Sequence, residues 1–441
     1  MLATKDNYEI ICENLSRLDS GELAFAGKSV CELAKQYGTP LYVYDENRIR
    51  ERCRTYLTAV SRAFDGNAQV LYASKAASFK RLYEIMKEEG MGIDVVSRGE
   101  IHTAYLAGYP LERAYFHSNN KTDEDVAFAM EHGVGYFVVD NAEELYAINA
   151  LASERGIKQK VLLRITPGID PHTYAAVATG KVDSKFGSAI ETGQADEMVR
   201  LALSLENVNL RGFHCHVGSQ IFDSDVYLAT TKVMLDFVAH IYATQSFLAK
   251  ELDVGGGYGV RYIADHPEID IAENIASVAK FMKEHAASLG ITLPKISFEP
   301  GRSIVADSGL TVYTVGTVKR IPGYKNYVSV DGGMTDNPRF ALYGSPYTIV
   351  SAERPLPEDT ITASIVGRCC ESGDILQENV QMPADIKRGE IVACLTTGAY
   401  NYSMASNYNR IPRPPVVMVN GADSYLAVRR ERVEDIVSLD I

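Results

Sequence analysis

Eight short apolar runs, most of them separated by a stretch able to form a helix, dominate the first two thirds of the chain. They cover residues 70–73, 93–96, 114–116, 136–139, 161–165, 210–214, 252–254 and 296–298. The stretches 122–132, 142–155, 194–205 and 273–289 repeat Leu, Ile, Val or Ala every three or four residues, which is the period of an amphipathic helix. Eight strands alternating with helices predict an α/β chain with a closed parallel (β/α)8 barrel of the TIM type. A doubly wound open sheet is the alternative.

Beyond residue 302 the helical alternation stops and strand-forming residues take over. Apolar runs at 310–321, 327–330, 360–366, 391–396 and 415–419 predict a second, mostly antiparallel β domain. At the other end, a lead-in with a short helix at 29–37 precedes a strand at 41–44. We therefore expect a barrel over 41–305 and a β domain formed by 1–40 and 306–441.

Charge and cysteine content limit the classes of partner. The 441 residues carry a formal net charge of −13, which disfavours nucleic acid and anionic membranes because both attract clustered Lys and Arg. The first residues do not resemble a signal peptide, and no apolar run is long enough to span a bilayer. Seven scattered cysteines without zinc-site spacing favour a reducing compartment, so we expect a cytoplasmic protein.

Polar side chains follow the predicted strands, at the end where barrel enzymes place their active sites. The first is Lys75, two residues after the run 70–73. We expect its amine to be partly desolvated, which would lower its pKa and favour the neutral nucleophile that bonds to a carbonyl compound. An ordinary surface lysine is the alternative. Further polar groups at strand ends are Asp94 with Ser97, His117 with Ser118, Asp140, Arg164, His216 with Ser219, and Glu299.

Glycines follow the seventh and eighth predicted strands. The triple glycine 255–257 removes every Cβ from one turn, and Gly301 lies in a second turn after Glu299. Backbone N–H groups in such turns can close on an anion, and barrel phosphate sites are frequently built from these two loops. Together with Lys75, such a cradle indicates pyridoxal 5′-phosphate, and Glu299 is then a candidate partner for a protonated pyridine nitrogen. Ordinary tight turns and a structural salt bridge from Glu299 to an arginine are the alternatives.

Two histidines, a cysteine and a tyrosine are further candidates. His214 and His216 would share a face of a strand; His216 could stack on an aromatic ring, whereas His214 is more simply a core histidine. No third histidine or carboxylate has ligand spacing with them, so we expect no metal. Cys370 stands beside Glu371 in the polar turn CCESGD and could deliver a proton. Tyr400 lies in a loop that could reach a phosphate or merely pack.

Taken together, these motifs resemble the fold-type III pyridoxal-phosphate decarboxylases, whose barrels are alanine-racemase-like. The resemblance runs through nearly the whole chain, in YASKA, DVVSRGE, HCHVGSQ, DVGGGYG, FEPGR, DGGMTD with RFALYG, CCESGD and GAYNYSMASNYN. The block PGIDPHTY with TGKVDSKFG, in residues 167–187, resembles the branch that acts on diaminopimelate rather than the ornithine or arginine branches.

The resemblance implies a role for each candidate residue. It implies that Lys75 holds the cofactor covalently, that His216 stacks on its ring, and that Cys370 donates a proton. The implied cofactor-binding residues are Lys75, Asp94, His216, Ser219, Gly255, Gly256, Gly257, Glu299, Gly301, Arg302 and Tyr400. The implied substrate-binding residues are Arg302, Arg339, Tyr343, Glu371 and Tyr400. Because this family takes the cysteine and the glutamate from the neighbouring subunit, a homodimer with shared active sites is expected.

The reaction that the resemblance implies is decarboxylation of meso-2,6-diaminopimelate to L-lysine and carbon dioxide, the last step of lysine biosynthesis. A substrate with an amino acid at both ends needs charged groups at its far end, and a bidentate arginine suits a carboxylate. A decarboxylase of another diamino acid such as D-lysine or D-ornithine, a racemase, and a catalytically inert homologue are the alternatives. The chain departs from the family pattern at Ala77, Arg98, Phe340, Arg368 and Cys369.

Overall fold

The computed structural model describes residues 11–170, 180 and 182–441, and it divides into two compact units. The barrel unit comprises Arg52–Gly259 and Glu268–Gly301, and the β unit comprises Met1–Glu51, Val260–Pro267 and Arg302–Ile441. Residues 171–179 and 181, which carry part of the predicted diaminopimelate block 167–187, lie outside the described residues. No helix in the described ranges has both the length and the apolar character that crossing a bilayer requires.

The elements follow one another along the chain in three groups. The first group is β1 (Leu15–Arg17), β2 (Leu23–Phe25), β3 (Lys28–Ser29), α1 (Val30–Tyr37), β4 (Leu41–Asp45) and α2 (Glu46–Ala63). The second is β5 (Ala68–Ala73), α3 (Lys80–Glu89), β6 (Gly92–Val95), α4 (Arg98–Leu106), β7 (Ala114–Phe116), α5 (Asp123–Glu131), β8 (Tyr136–Val139), α6 (Ala142–Glu154), β9 (Gln159–Thr166), β10 (Ser188–Ala189), α7 (Gln194–Ser204), β11 (Val208–His214), α8 (Ser224–Gln245), β12 (Glu251–Asp253), α9 (Ile271–Ser288) and β13 (Lys295–Phe298). The third is α10 (Arg302–Val305), β14 (Gly309–Arg320), β15 (Asn326–Val330), α11 (Arg339–Tyr343), β16 (Ile349–Ser351), β17 (Thr360–Val366), β18 (Ile375–Pro383), β19 (Ile391–Cys394), β20 (Val416–Asn420), β21 (Asp423–Val428) and α12 (Val433–Val437).

The barrel unit is a closed ring of eight parallel strands. Each of β5, β6, β7, β8, β9, β11, β12 and β13 pairs with the next, and β13 pairs back with β5. The pairings β8 with β9 and β13 with β5 close the ring and exclude the open-sheet alternative. The strands read as nearly continuous apolar runs because a parallel sheet covered by helices is buried on both faces. All eight carboxyl ends therefore meet at one end of the ring.

The β unit is built around a mixed sheet in the order β18, β17, β15, β14, β4, β20, β21. Most of its pairs are antiparallel, whereas β15 with β17 and β20 with β4 are parallel. The strand β4, which the predicted boundary at residue 41 assigns to the barrel, pairs with both β14 and β20. The apolar core of the β unit combines Leu23, Phe25 and Val30 of the lead-in with residues of β14, β19 and β20.

Candidate active site

Lys75 lies in a single 3-10 turn, Ser74–Ala76, directly after β5. The residue is exposed, whereas we expected its amine to be partly desolvated. The rest of the turn, Ser74 and Ala76, is buried, so the lysine between them is its exposed residue. The positive charge of Lys75 still contributes to the pKa shifts of Asp94 and His216, which places the ammonium group in their vicinity.

Glu299 directly follows β13 and is held by two imidazole rings. Its Oε2 accepts a hydrogen bond of 3.0 Å from His214 Nε2, and its Oε1 lies 2.9 Å from His117 Nε2. All three side chains are buried. Burial alone would raise the pKa of Glu299, but the two histidines outweigh it and hold the pKa well below its usual range. Glu299 is therefore a buried, ionised carboxylate whose partners are histidines, not the arginine that the sequence left open.

His214 belongs to this cluster, although the sequence favoured an ordinary core histidine. Burial lowers the pKa of His214 to about 4 against the opposing charge of Glu299. The ring is therefore neutral at pH 7 and donates its Nε2–H to the carboxylate. The strand β11 ends at His214, so it does not extend to His216 and cannot place the two histidines on one face as predicted.

His216 is oriented by the triple glycine rather than by the strand. Its Nδ1 accepts a hydrogen bond of 3.3 Å from the backbone N–H of Gly256. Burial, and next the charge of Lys75, hold the pKa of His216 well below its usual range. The imidazole is therefore neutral, which suits packing against an aromatic ring better than binding an anion.

The glycines of the two loops allow backbone to approach backbone. A Cβ at Gly256 would lie 2.1 Å from the carbonyl oxygen of Glu299, and one at Gly257 would lie 2.4 Å from that of Gly218. A Cβ at Gly301 would lie 2.9 Å from the Cβ of Ala73. The N–H of Glu299 also donates to the carbonyl of Gly255 over 2.8 Å. The loops after β11, β12 and β13 are thus locked together, and Ser219 lies half-buried in the first of them.

Two more buried carboxyl groups lie near Glu299. Burial and the charge of Glu299 raise the pKa of Asp253, whose Oδ1 accepts the N–H of Gly255 over 2.8 Å. Burial also raises the pKa of Asp94, although the charge of His117 opposes it. The Asp94 Oδ1 has no hydrogen-bond partner among the described residues. Sequence reasoning did not single out Asp253, although an acidic residue that ends a buried strand is a usable signal.

His117, His214 and Glu299 also form a donor set with metal-binding chemistry, since their ligand atoms lie within 4.8 Å of one another. The sequence offered no third ligand for His214 because His117 follows β7, far away along the chain. The imidazole and carboxylate contacts account for this arrangement without an ion. The absence of a metal stays a prediction.

A buried ion pair supports the neighbouring strand ends. Lys121 Nζ lies 2.6 Å from Glu144 Oε1 and donates to the carbonyl of Val138 over 2.7 Å. The other oxygen of Glu144 accepts the N–H of Asp140 over 3.0 Å. Asp140 in turn accepts the N–H of Gly187 over 3.0 Å. The pair thus links α6 to the loops after β7, β8 and β9.

In the β unit, the predicted arginines and Tyr400 lie together. The Cζ atoms of Arg302 and Arg339 lie 4.8 Å and 5.2 Å from the centre of the Tyr400 ring, and Tyr343 lies 5.3 Å from Arg339. Arg302 donates to the Tyr262 hydroxyl over 2.6 Å. Both guanidinium groups are buried, and Arg339 Nε has no hydrogen-bond partner among the described residues. Tyr400 has a φ of 65°, a strained conformation for a residue other than glycine.

Cys370 and Glu371 lie in the turn that joins β17 to β18. Both side chains are exposed, as the polar sequence of this turn predicted for Cys370.

Arg98 is one of the positions at which the chain departs from the family pattern. It forms ion pairs of 3.1 Å with Glu124 and 2.9 Å with Asp125, between α4 and α5. It therefore serves the outer surface of the barrel unit.

These groups fit pyridoxal phosphate. A primary amine, an ionised carboxylate and a neutral imidazole lie in one neighbourhood of the barrel unit. Asp94 adds an unpartnered buried oxygen. The amine matches the chemistry of the cofactor at its aldehyde, and the carboxylate and imidazole match it at its ring.

Comparisons with known proteins agree with this chemistry. Residues 46–306 match the family of the pyridoxal-dependent decarboxylase, pyridoxal binding domain. The diaminopimelate decarboxylase of Bacillus subtilis strain 168 is 45% identical over 421 residues, which are 96% of this chain and 95% of that protein. That of Bacillus methanolicus is 43% identical over 94% of this chain and 96% of its own length.

Solved structures give the same result. The crystal structure of diaminopimelate decarboxylase from M. jannaschii in complex with L-lysine has a TM-score of 0.90 and 32% identity, covering 97% of this chain and 98% of that one. A lysine/ornithine decarboxylase from Vibrio vulnificus, at 22% identity and a TM-score of 0.73, shares the fold over 89% of this chain and 97% of its own. The chain belongs to the diaminopimelate decarboxylase family, whose members are pyridoxal-phosphate-dependent carboxy-lyases of the fold-type III class.

Proposed function

We propose that this chain removes one carboxylate of meso-2,6-diaminopimelate as carbon dioxide and puts a proton in its place, giving L-lysine, in a homodimer with shared active sites. Bound pyridoxal phosphate supplies the electron sink for the carbanion that the departing carbon dioxide leaves. The observation that carries the proposal is the ionised Glu299 held between His117 and His214, in a chain 45% identical to a diaminopimelate decarboxylase.

Most of the proposed cofactor contacts come from the barrel unit. Lys75 would hold the cofactor at its aldehyde, with loss of water, and Glu299 would hold a proton at the ring nitrogen because its carboxylate is charged and buried. His216, kept neutral and fixed by Gly256, would pack against the ring. The remaining phosphate and ring contacts are assigned to Asp94, Ser219, Gly255, Gly256, Gly257, Gly301, Arg302 and Tyr400.

The far end of the substrate needs opposite charges on its ammonium and carboxylate groups. We assign the distal carboxylate to Arg302, Arg339 and Tyr343, because both guanidinium groups are buried cations and the Nε of Arg339 has no hydrogen-bond partner among the described residues. Glu371 takes the distal ammonium, and the thiol of Cys370 gives its proton to the substrate carbon. Both come from the partner subunit in this proposal, which agrees with their exposure in a single chain.

Product analysis tests the proposal directly. The chain, loaded with pyridoxal phosphate, is incubated separately with meso-diaminopimelate, D-lysine and D-ornithine, and carbon dioxide and amines are measured. Equal amounts of L-lysine and carbon dioxide from diaminopimelate, and little from the other two, support the proposal. Faster release from D-lysine or D-ornithine would assign the chain to another substrate, and racemisation without carbon dioxide would assign it to another reaction.

The same proposal places the reaction in the cytoplasm. All seven cysteines are present as thiols, and one of them is the proposed proton donor Cys370. Thiols are kept reduced in that compartment.

A further inference from the structure

The turn that carries Cys370 and Glu371 combines exposed side chains with a tightly held backbone. It spans residues 367–374, between the end of β17 and the start of β18. The N–H of Gly367 donates to the carbonyl of Asp374 over 3.0 Å, and the N–H of Asp374 donates to the carbonyl of Glu371 over 3.2 Å. The exposed side chains of Cys370 and Glu371 are not held by packing against neighbours in the same chain. Their positions therefore depend on the backbone of the turn.

A single buried carboxylate organises this turn. Asp374 is 3% exposed, and its Oδ2 accepts the N–H of Cys369, next to Cys370, over 2.7 Å. Its Oδ1 accepts the N–H of Met334 over 2.6 Å, in the loop that follows β15. One carboxylate therefore joins the turn to a separate loop of the β unit.

The space around Asp374 is shaped for a carboxylate. A Cβ at Gly367 would lie 2.2 Å from Asp374 Oδ2, and one at Gly333 would lie 2.6 Å from Oδ1. Neither distance is sterically possible, so both positions must be glycine while the carboxylate is there. Burial, and next the charge of Asp374, raise the pKa of the neighbouring Cys369 thiol to about 12. Cys369 therefore stays protonated and leaves Cys370 as the exposed thiol of the pair.

We propose that Asp374 is a positioning residue for the decarboxylation: through the backbone of residues 367–374 it fixes Cys370 and Glu371 where the reaction needs them. The inference rests on the proposed function, which gives those two residues their roles. A second, weaker tether acts on the same turn, since the N–H of Cys370 donates to Asn409 Oδ1 over 2.9 Å.

The first test is Asp374→Asn, with Asp385→Asn as the matched control. Asp385 is an exposed carboxylate of the same unit, 2.7 Å from Arg354. The amide of Asp374→Asn cannot accept two N–H bonds with both of its ends, so the turn shifts. We expect kcat of the cofactor-loaded enzyme to fall about 10- to 100-fold, because displacements near 1 Å cost that much in catalysis. Cofactor absorbance should be retained, and Asp385→Asn should match wild type.

Subunit mixing separates positioning from stability. In mixed dimers of Asp374→Asn and Lys75→Ala, one of the two sites combines an intact Lys75 with an intact turn from the partner. Random reassociation should therefore restore about a quarter of the wild-type activity. A lower melting temperature with unchanged kcat per cofactor would instead show that Asp374 is only structural, and would overturn the inference.

A parallel mixture keeps the two proposals distinguishable. Lys75→Ala mixed with Cys370→Ala tests the shared site alone. If that mixture regains activity and the Asp374→Asn mixture does not, the role of Asp374 is refuted; if neither regains activity, the shared site is refuted. Should Asp374→Asn fail to fold, Asn409→Gly decides, since glycine tolerates the φ of 52° at this position. A kcat reduced about threefold or more in that variant supports positioning by the turn, and an unchanged kcat overturns it.

Discussion

The neutral state of His214 gives a prediction with a definite sign and size. The folded chain lowers the pKa of this imidazole from 6.5 to about 4, so the unfolded chain binds a proton more readily between those values. The stability that His214 contributes is then fully present above pH 6.5 and is lost as the pH falls toward 4. The whole shift corresponds to roughly 3 kcal/mol of unfolding free energy, of which about 2 kcal/mol is lost by pH 4.5.

The assay is urea unfolding of the cofactor-free chain at several pH values from 7 to 4.5, for wild type and His214→Gln. The glutamine amide can still donate to Glu299 but does not titrate, so the variant should lose about 2 kcal/mol less than wild type over this range. Glu299, whose pKa is depressed, loses most of its contribution below about pH 4.5, so it changes the curves little over this range. His102→Gln, at an exposed position of α4, is the matched control. Parallel curves for wild type and His214→Gln would refute the conclusion that burial keeps this ring neutral.

The remaining predictions concern catalysis and the buried ion pair. Lys75→Ala should abolish both carbon dioxide release and the visible absorbance of the bound cofactor, and unchanged absorbance would remove the lysine from the site. Cys370→Ala should slow turnover while the cofactor stays bound; full activity would contradict its role as proton donor. Lys121→Met leaves Glu144 buried without its cation and should destabilise the barrel unit by about 3–5 kcal/mol in thermal unfolding. Adding Glu144→Gln should recover at least half of that loss, and no recovery would show that the pair is not the cause.

The barrel could be predicted because each of its strands is marked by a short run of apolar residues in the sequence. All eight predicted runs coincide with barrel strands to within two residues at each end, since a buried parallel strand is apolar throughout. The strand β18 was missed because its apolar residues are mixed with Gln377, Glu378 and Asn379. Asn379 also has a φ of 58°, and the pairing of β17 with β18 shifts register nearby, so no clean alternation marks the strand.

The site was only partly predictable, because its key contacts join distant segments. Lys75 and Glu299 were predicted as site residues from their positions after apolar runs. The pairing of Glu299 with His117 and His214 was not predicted. These residues follow or end β13, β7 and β11, which are far apart in sequence and come together only in the closed barrel. The degree of exposure of Lys75 could not be predicted either, because the path of a three-residue turn depends on its tertiary surroundings.

The contact between Gly256 and Glu299 has a consequence for redesign. Because a Cβ at Gly256 would overlap the carbonyl oxygen of Glu299, a larger side chain at the glycine displaces the main chain at the acid. The path of the glycine loop and the alignment of the acid therefore cannot be tuned separately. Anyone transplanting this chemistry to a new scaffold would have to move residues 254–257 and 298–301 together, as one cassette.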